Sequence, residues 1–188
     1  MAVSVHESAG ARASRLRTGV ALFLVSEACL FGSLFWTYYY LRGLTPGWPA
    51  HFPSATLPAF NTLVLLAGSG TAWVAARTVR RGSRTRLSAA LLATAILGAA
   101  FLAVTFWEWG HEVFRPWTDA YGSVFFTLTG FHALHVLGGV VLMLALYART
   151  VRHKISSRNH TTIDVGSLYW HFVDLIWILV FTTVFLIR

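Results

Sequence analysis

The sequence predicts an all-α, polytopic membrane protein, a bundle of five transmembrane helices. Of its 188 residues, 56% are hydrophobic and only 12% are charged. A soluble domain carries roughly 25% charged residues, so this composition is typical of a membrane protein. Five apolar runs are each long enough to cross a hydrocarbon core of about 30 Å as a helix, which gives the helix count.

Most of the chain forms one predicted transmembrane domain, residues 18–188, after a polar and basic arm at residues 1–17 that we expect to be disordered. The first apolar run is too long for the core of a signal peptide, and no A-x-A site follows it, so we expect it to be retained. A proline-rich loop then separates the first two helices, because proline cannot continue a helix. The predicted helices span residues 18–41, 57–76, 87–107, 121–148 and 165–187.

The basic residues predict the orientation. The N-terminal arm holds three arginines, the loop after the second helix holds five, and the segment after the fourth helix holds three arginines and a lysine. With five helices these 12 of the 15 basic residues lie on one side, and only Arg42, Arg115 and Arg188 lie on the other. Since loops rich in Arg and Lys stay in the cytoplasm, the N-terminus is predicted inside and the C-terminus outside.

Charge and cysteine content exclude several classes of function. The net charge of +8 alone is compatible with nucleic-acid binding. The cations, however, lie beside apolar runs, as membrane topology requires, so we expect no nucleic-acid partner. The single cysteine, Cys29, excludes an internal disulfide, a cysteine-based zinc site and an iron–sulfur cluster.

Five ionisable residues lie inside the apolar runs, where such residues are costly and usually functional. Glu27 in the first helix and Asp174 in the fifth each lie roughly 14 Å from the inner boundary, at about 1.5 Å per residue. His132 lies about 16 Å from the outer boundary, and His135 and His171 lie slightly closer to the inside. Acids and imidazoles at matching depth are able to pair and to offset the cost of desolvation.

The fourth helix is the one around which we expect the others to be arranged. His132 and His135 are three residues apart and share a helical face. Gly130, Gly138 and Gly139 make that helix narrow, which favours contact with protein. Four interpretations of the buried set are open: a polar network that fixes helix packing or docks another subunit, a proton-handling site, a haem held between two helices, and a metal site.

Four segments carry a family resemblance: FLVSEACLFGSLFWTYYYLR (23–42), LPAFNTLVLLAGSGTAW (57–73), YGSVFFTLTGFHALHVLGG (121–139) and YWHFVDLIWILVF (169–181). Together they closely resemble subunit III of haem–copper terminal oxidases, the cytochrome c oxidase subunit 3 family, in a short five-helix form. The resemblance covers essentially every predicted helix, in order. Its Ser-Glu, Asn-Thr, Gly-Phe-His-x-Leu-His and Tyr-Trp-His-Phe-Val-Asp motifs are specific in combination.

The resemblance implies a chain without haem, copper or any other metal and without a catalytic residue; haem and copper are expected on partner subunits. It implies direct packing on subunit I, association with subunit II and other oxidase subunits, a bound phospholipid, and support for proton uptake and turnover stability. It therefore favours the packing interpretation over the haem and metal sites. The functional positions of the family match Ser26, Glu27, Asn61, Thr62, Glu108, His132, His135, Tyr169, Trp170, His171 and Asp174.

The usual family pattern has seven helices, and we expect this chain to lack counterparts of the first two. Those two helices form one wall of the lipid cleft. Five-helix forms occur in bacterial oxidases, including quinol oxidases, so we expect a subunit of a respiratory oxidase in a bacterial cytoplasmic membrane. Two rivals remain: an accessory subunit of nitric oxide reductase, and a stand-alone haem-binding or proton-coupled membrane protein. The electron donor, cytochrome c or quinol, stays open.

Overall fold

The computed structural model describes residues 9–48, 53–155 and 160–187, and these ranges contain helices and no β-strand. Five of the described helices are long and apolar enough to cross a membrane. The predicted five-helix architecture is thereby confirmed. The helices are α1 (Ala9–Leu44), α2 (Thr56–Arg80), α3 (Arg84–His111), α4 (Ala120–Val151) and α5 (Thr161–Phe181), and a π-helical turn (Thr182–Leu186) continues α5.

The helices extend beyond the apolar runs that predicted them. The largest difference is at α1, which begins at Ala9 rather than at residue 18. Residues 9–17 are mostly alanine and arginine, both good helix formers, so the backbone stays helical after the apolar run has ended. The described part of the predicted arm is therefore helical, and residues 1–8 lie outside the described residues. Hydropathy locates the lipid boundary, whereas helix propensity and capping locate the helix end.

Helices α2, α3, α4 and α5 form the closely packed part of the bundle, and α1 lies along α4 and α5. In the most apolar window of α1 only 11% of the residues are buried, compared with 50% in α5. Much of the apolar surface of α1 therefore faces outward. That surface is available to lipid or to another protein.

The centre of the packed part is the indole of Trp170, which is 1% exposed. A Cβ added at Gly98 of α3 would lie 2.5 Å from the indole, one at Gly139 of α4 would lie 3.1 Å away, and one at Gly68 of α2 would lie 3.2 Å away. Each of the three helices therefore approaches Trp170 through a glycine. The small residues allow the backbones to come close around one large side chain.

The two ends of the bundle differ in chemistry. At one end Arg80 forms a 3.1 Å salt bridge with Asp164, and Arg84 contacts His153. These contacts bring the arginine-rich loop between α2 and α3 next to the end of α4 and the start of α5, so these two basic segments share one end. The other end is closed by a cluster of packed aromatic side chains, Tyr38, Trp48, Phe114, Tyr121, Phe125 and Phe185.

Candidate functional site

A glutamate and a histidine join α1 to α4. Glu27 Oε2 lies 2.8 Å from His135 Nε2. The other ring nitrogen, Nδ1, lies 2.7 Å from the carbonyl oxygen of Phe131, and since a carbonyl only accepts, Nδ1 carries a hydrogen. The contact between Nε2 and Oε2 then needs one shared proton. The pair has no net charge whether that proton resides on the acid or on the imidazole.

Aromatic side chains shield this pair. The ring of Phe31 packs edge-on against His135 with 5.0 Å between centroids. The hydroxyl of Tyr169 donates to the backbone carbonyl of His135 at 2.9 Å, and Phe23 stacks on the Tyr169 ring. Only 19% of the Glu27 side chain is exposed. The pair is thus a shielded polar link between the loosely packed α1 and the rest of the bundle.

A second polar group, which we call the α2–α5 cluster, consists of Ser69, Ser167, His171 and Asp174. Ser69 Oγ lies 2.8 Å from His171 Nδ1, and the Ser69 hydroxyl is also hydrogen-bonded to Asp174 Oδ2. Ser167 Oγ lies 3.3 Å from His171 Nε2 and donates to the carbonyl of Ala72 at 3.2 Å. Asp174 is buried, whereas Ser69 and His171 are half-buried. The cluster therefore reaches from the interior to the outer surface of these two helices.

The sequence reasoning missed both serines of the α2–α5 cluster. Ser69 lies between Gly68 and Gly70, and such a run of small residues is more often a packing feature than a polar site. Ser167 lies one helical turn before His171, and that spacing of four was the available signal. No comparable signal placed Ser69 beside α5, because only the three-dimensional structure shows that α2 packs against α5.

His132 lies apart from both groups. Its side chain is fully buried, its ring packs 4.9 Å from that of Trp177 and 5.7 Å from that of Phe101, and no described residue hydrogen-bonds to either ring nitrogen. Residues three apart on a helix differ by about 60° in direction. This angle is enough to turn His135 toward α1 and His132 toward α3 and α5. The two histidines of the predicted shared face thus contact different helices.

Asn61 and Thr62 link α2 to two other helices. The side-chain amide of Asn61 donates to the carbonyl oxygen of Phe101 at 3.1 Å and to the hydroxyl of Thr105 at 3.3 Å. The indole nitrogen of Trp177 donates to the hydroxyl of Thr62 at 2.9 Å. These contacts set the positions of α3 and α5 against α2. They are interhelical hydrogen bonds of the kind that stabilise packing inside a membrane.

The remaining sequence-predicted residues lie at three separate places. Glu108 is 8% exposed, in the last turn of α3, one turn after Thr105. Ser26 is exposed, and its hydroxyl bonds to the carbonyl of Phe23 in its own helix. Trp170 lies among the three glycines described above. The predicted residues are thus distributed over several interhelical contacts, and the structure brings only some of them together.

The arrangement offers hydrogen bonds between helices rather than a ligand set. Among the described residues, no group of three His, Cys, Asp or Glu side chains is placed to hold a metal ion. Both ring nitrogens of His135 and both of His171 are already engaged by protein atoms. In this conformation neither of these two imidazoles offers a free nitrogen, whereas no described residue hydrogen-bonds to the two ring nitrogens of His132. Acids and imidazoles so placed are suited to hold helices together and to share protons.

Comparison with known proteins gives a consistent result. A family model described as cytochrome c oxidase subunit III matches residues 4–187. The cytochrome c oxidase subunit 3 of Synechocystis sp. is 35% identical over 176 residues, which cover 90% of this chain and 74% of the relative. That of Petromyzon marinus is 33% identical over 181 residues, covering 90% and 69%. That of Anopheles gambiae is 33% identical over 180 residues, covering 90% and 68%.

Proposed function

Because this chain belongs to the cytochrome c oxidase subunit III family, we propose that it is the non-redox subunit III of a bacterial haem–copper respiratory oxidase. In this proposal the complex reduces O₂ to water and translocates protons across the cytoplasmic membrane. Haem and copper belong to partner subunits, and no residue of this chain is catalytic. The observation that carries the proposal is the family match across residues 4–187.

The polar residues of the interior support a non-redox role. Glu27 with His135, Asn61 with Thr105, and Thr62 with Trp177 each join two different helices. Within a membrane such bonds satisfy groups that lipid cannot, so they specify how the helices pack. A chain whose buried polar side chains form hydrogen bonds between helices is suited to stabilise an assembly.

The outer surface of α1 supports an assembly role. Leu22 is 67% exposed, Val25 is 62% exposed and Trp36 is 74% exposed, although all three lie on a membrane-spanning helix. An apolar surface of this kind faces lipid or another membrane protein. We propose that subunit I packs directly on this chain, with subunit II and other oxidase subunits in the same complex, and that a phospholipid binds beside the bundle. Support for proton uptake and turnover stability would follow from these contacts.

The proposal is tested by purifying the complex through an affinity tag on this chain. We expect oxidase subunits I and II in the purified material, the absorption spectrum of haem in the complex, and no haem on this chain once it is separated. Purification with the catalytic subunit of a nitric oxide reductase would contradict the oxidase assignment. A Soret band from the separated chain would contradict the non-redox role.

Replacing Glu27 tests the function of the link between α1 and α4. The Glu27→Ala variant leaves His135 Nε2 without its partner, which costs about 1–3 kcal/mol for a buried group. We expect less assembled complex or faster loss of oxidase activity during turnover, measured by subunit yield and by oxygen uptake over time. Thr37→Ala is the control, because Thr37 is exposed and, among the described residues, its hydroxyl bonds to the carbonyl of Ser33 in its own helix alone. Wild-type yield and wild-type inactivation rate in Glu27→Ala would refute a role for this link.

A further inference from the structure

We propose that Ser69, His171 and Asp174 form a proton-exchange site inside the membrane, in which the serine hydroxyl carries a proton between the carboxyl and the imidazole. The observation behind this proposal is an unbroken series of hydrogen bonds. Asp174 Oδ2 contacts Ser69 Oγ, which lies 2.8 Å from His171 Nδ1. Each member is a group that is able to give and to take a proton. The proposal does not depend on which complex the chain joins.

Counting donors gives one arrangement of the protons in this series, for a neutral His171 ring. Ser167 donates to the carbonyl of Ala72, so its oxygen must accept from His171, and Nε2 of that ring carries a hydrogen. In a neutral ring Nδ1 then accepts, and the hydroxyl that it accepts from is that of Ser69. Ser69 has no second hydrogen. With the ring neutral, Asp174 is then the donor in the remaining contact, as a carboxylic acid; with a carboxylate, Ser69 donates to Asp174 Oδ2 instead.

A second arrangement of the same protons also satisfies every contact. The proton of Asp174 moves to Ser69 Oγ while the original hydroxyl proton of Ser69 moves to His171 Nδ1. One O–H bond breaks and one forms at the serine, so the hydroxyl is regenerated, and the products are a carboxylate and an imidazolium. No proton is gained or lost, and no other reactant is needed. A buried charge is costly, so the neutral arrangement is the resting one and the charged arrangement is the route of transfer.

One end of this series is closed inside the bundle, and the other lies at the surface of the bundle. Ser167 ends it at the carbonyl of Ala72, which accepts hydrogen bonds but cannot pass a proton on. Ser69 and His171 are half-buried, and Gly70 and Leu168 beside them are exposed on the outer surface of α2 and α5. In the part of the chain that the structure describes, neither Arg nor Lys forms a salt bridge with Asp174. The carboxyl therefore exchanges its proton through the serine.

The Glu27 and His135 pair differs in this respect. Its carboxyl and imidazole contact each other directly, without a hydroxyl between them. Its Nδ1 hydrogen is held by the carbonyl of Phe131. That pair shares a proton directly, and no described residue lies between its two groups as a relay. The relay is thus a feature of the α2–α5 cluster.

Infrared spectroscopy of the purified complex in D₂O tests the proposal. The C=O band of the Asp174 carboxylic acid is identified by its loss in Asp174→Asn, and its shift on deuteration reports proton exchange. In Ser69→Ala the relay lacks its central hydroxyl. We expect exchange at Asp174 to slow about tenfold, the rate equivalent of one lost hydrogen bond. Ser69→Thr keeps the hydroxyl and should exchange as fast as the wild type.

Two further variants separate the relay from general effects on packing. Ser33→Ala removes a hydroxyl that bonds to the carbonyl of Leu30 in its own helix at 2.7 Å and, in the part of the chain that the structure describes, to no other helix. This variant should leave the exchange unchanged. His171→Gln keeps a hydrogen-bonding side chain but removes the imidazole, and should slow exchange as Ser69→Ala does, even if the latter fails to assemble. Wild-type exchange in Ser69→Ala or in His171→Gln would overturn the proposal. So would the absence of any carboxylic acid band that Asp174→Asn removes.

Discussion

Trp170 lies where four helices meet, and the other three each contribute a glycine at the contact. The indole fills space that side chains on α2, α3 and α4 would otherwise occupy. A large rigid ring among small residues defines one packing arrangement, because no smaller side chain fills the same volume. At the residue scale the core is therefore specified by shape. The hydrogen bonds of the polar groups around it further set the positions of the helices relative to one another.

Gly98→Ala should destabilise the bundle. The added methyl group would lie 2.5 Å from Trp170 and 2.7 Å from Val140, so both neighbours must move. Overpacking of this kind costs about 1–3 kcal/mol. We expect a lower midpoint in thermal unfolding of the full-length chain in detergent. Gly70→Ala is the matched control, since nothing lies within 4 Å of its added methyl. Equal midpoints for the two variants would refute the packing argument.

At the scale of elements, the helices differ in how firmly they are held. Helix α1 has 36 residues and is about 54 Å long, longer than the membrane is thick, yet it buries little apolar surface. Specific links compensate, namely the bond of Glu27 to His135 and the contact of Tyr39 with Thr183 at 3.4 Å. Helix α4 is also stabilised within itself, because its first turn is capped: the side chain of Asp119 accepts a hydrogen bond from the backbone N–H of Gly122 at 2.6 Å.

The end of α3 predicts a dependence of stability on pH. Burial raises the pKa of Glu112, which follows the last residue of α3, above its ordinary value of 4.5. The folded chain therefore keeps this proton at pH values where the unfolded chain has released it. Stability from this group is full below pH 4.5 and is lost as the pH rises through the folded pKa.

We expect Glu112→Gln to remove this loss, because the amide does not ionise. The measurement is thermal unfolding of the two proteins across the acid and neutral range. The difference between their midpoints should move in favour of the variant as the pH rises. A difference that stays constant with pH would contradict the raised pKa of Glu112.

At the scale of the whole molecule, the basic and aromatic ends make the bundle asymmetric. Arg80 and Arg84 lie at the end with Asp164 and His153, and the aromatic cluster lies at the other. Cytoplasmic loops are rich in arginine and lysine, and aromatic belts occur at membrane interfaces. The asymmetry supports the predicted orientation, with the N-terminus inside.

Cysteine labelling in right-side-out vesicles tests the orientation. With Cys29 replaced by alanine, we introduce Thr85→Cys at the basic end and Val113→Cys at the other end; both positions are exposed. A membrane-impermeant thiol reagent should label Val113→Cys from outside and Thr85→Cys only after the membrane is opened. The reverse pattern would show that the N-terminus is outside.

Much of this architecture could be predicted from the sequence. Long apolar runs determine the number of helices, because an apolar run of this length satisfies its own backbone in lipid as a helix. The positions of the basic loops in the sequence indicate which segments lie at the same end of the bundle. Hydropathy could not place the true start of α1 at Ala9, since helix propensity continues beyond the lipid.

The sequence by itself predicted that acids and imidazoles lie within the membrane at similar depth. Only the tertiary structure decided their partners: Glu27 with His135, Asp174 with Ser69, and His132 packed against aromatic rings. The physical reason is the direction in which each side chain leaves its helix. A turn of about 60° between positions three apart on one helix sends two histidines to different helices, and which helix lies there depends on how the whole bundle packs.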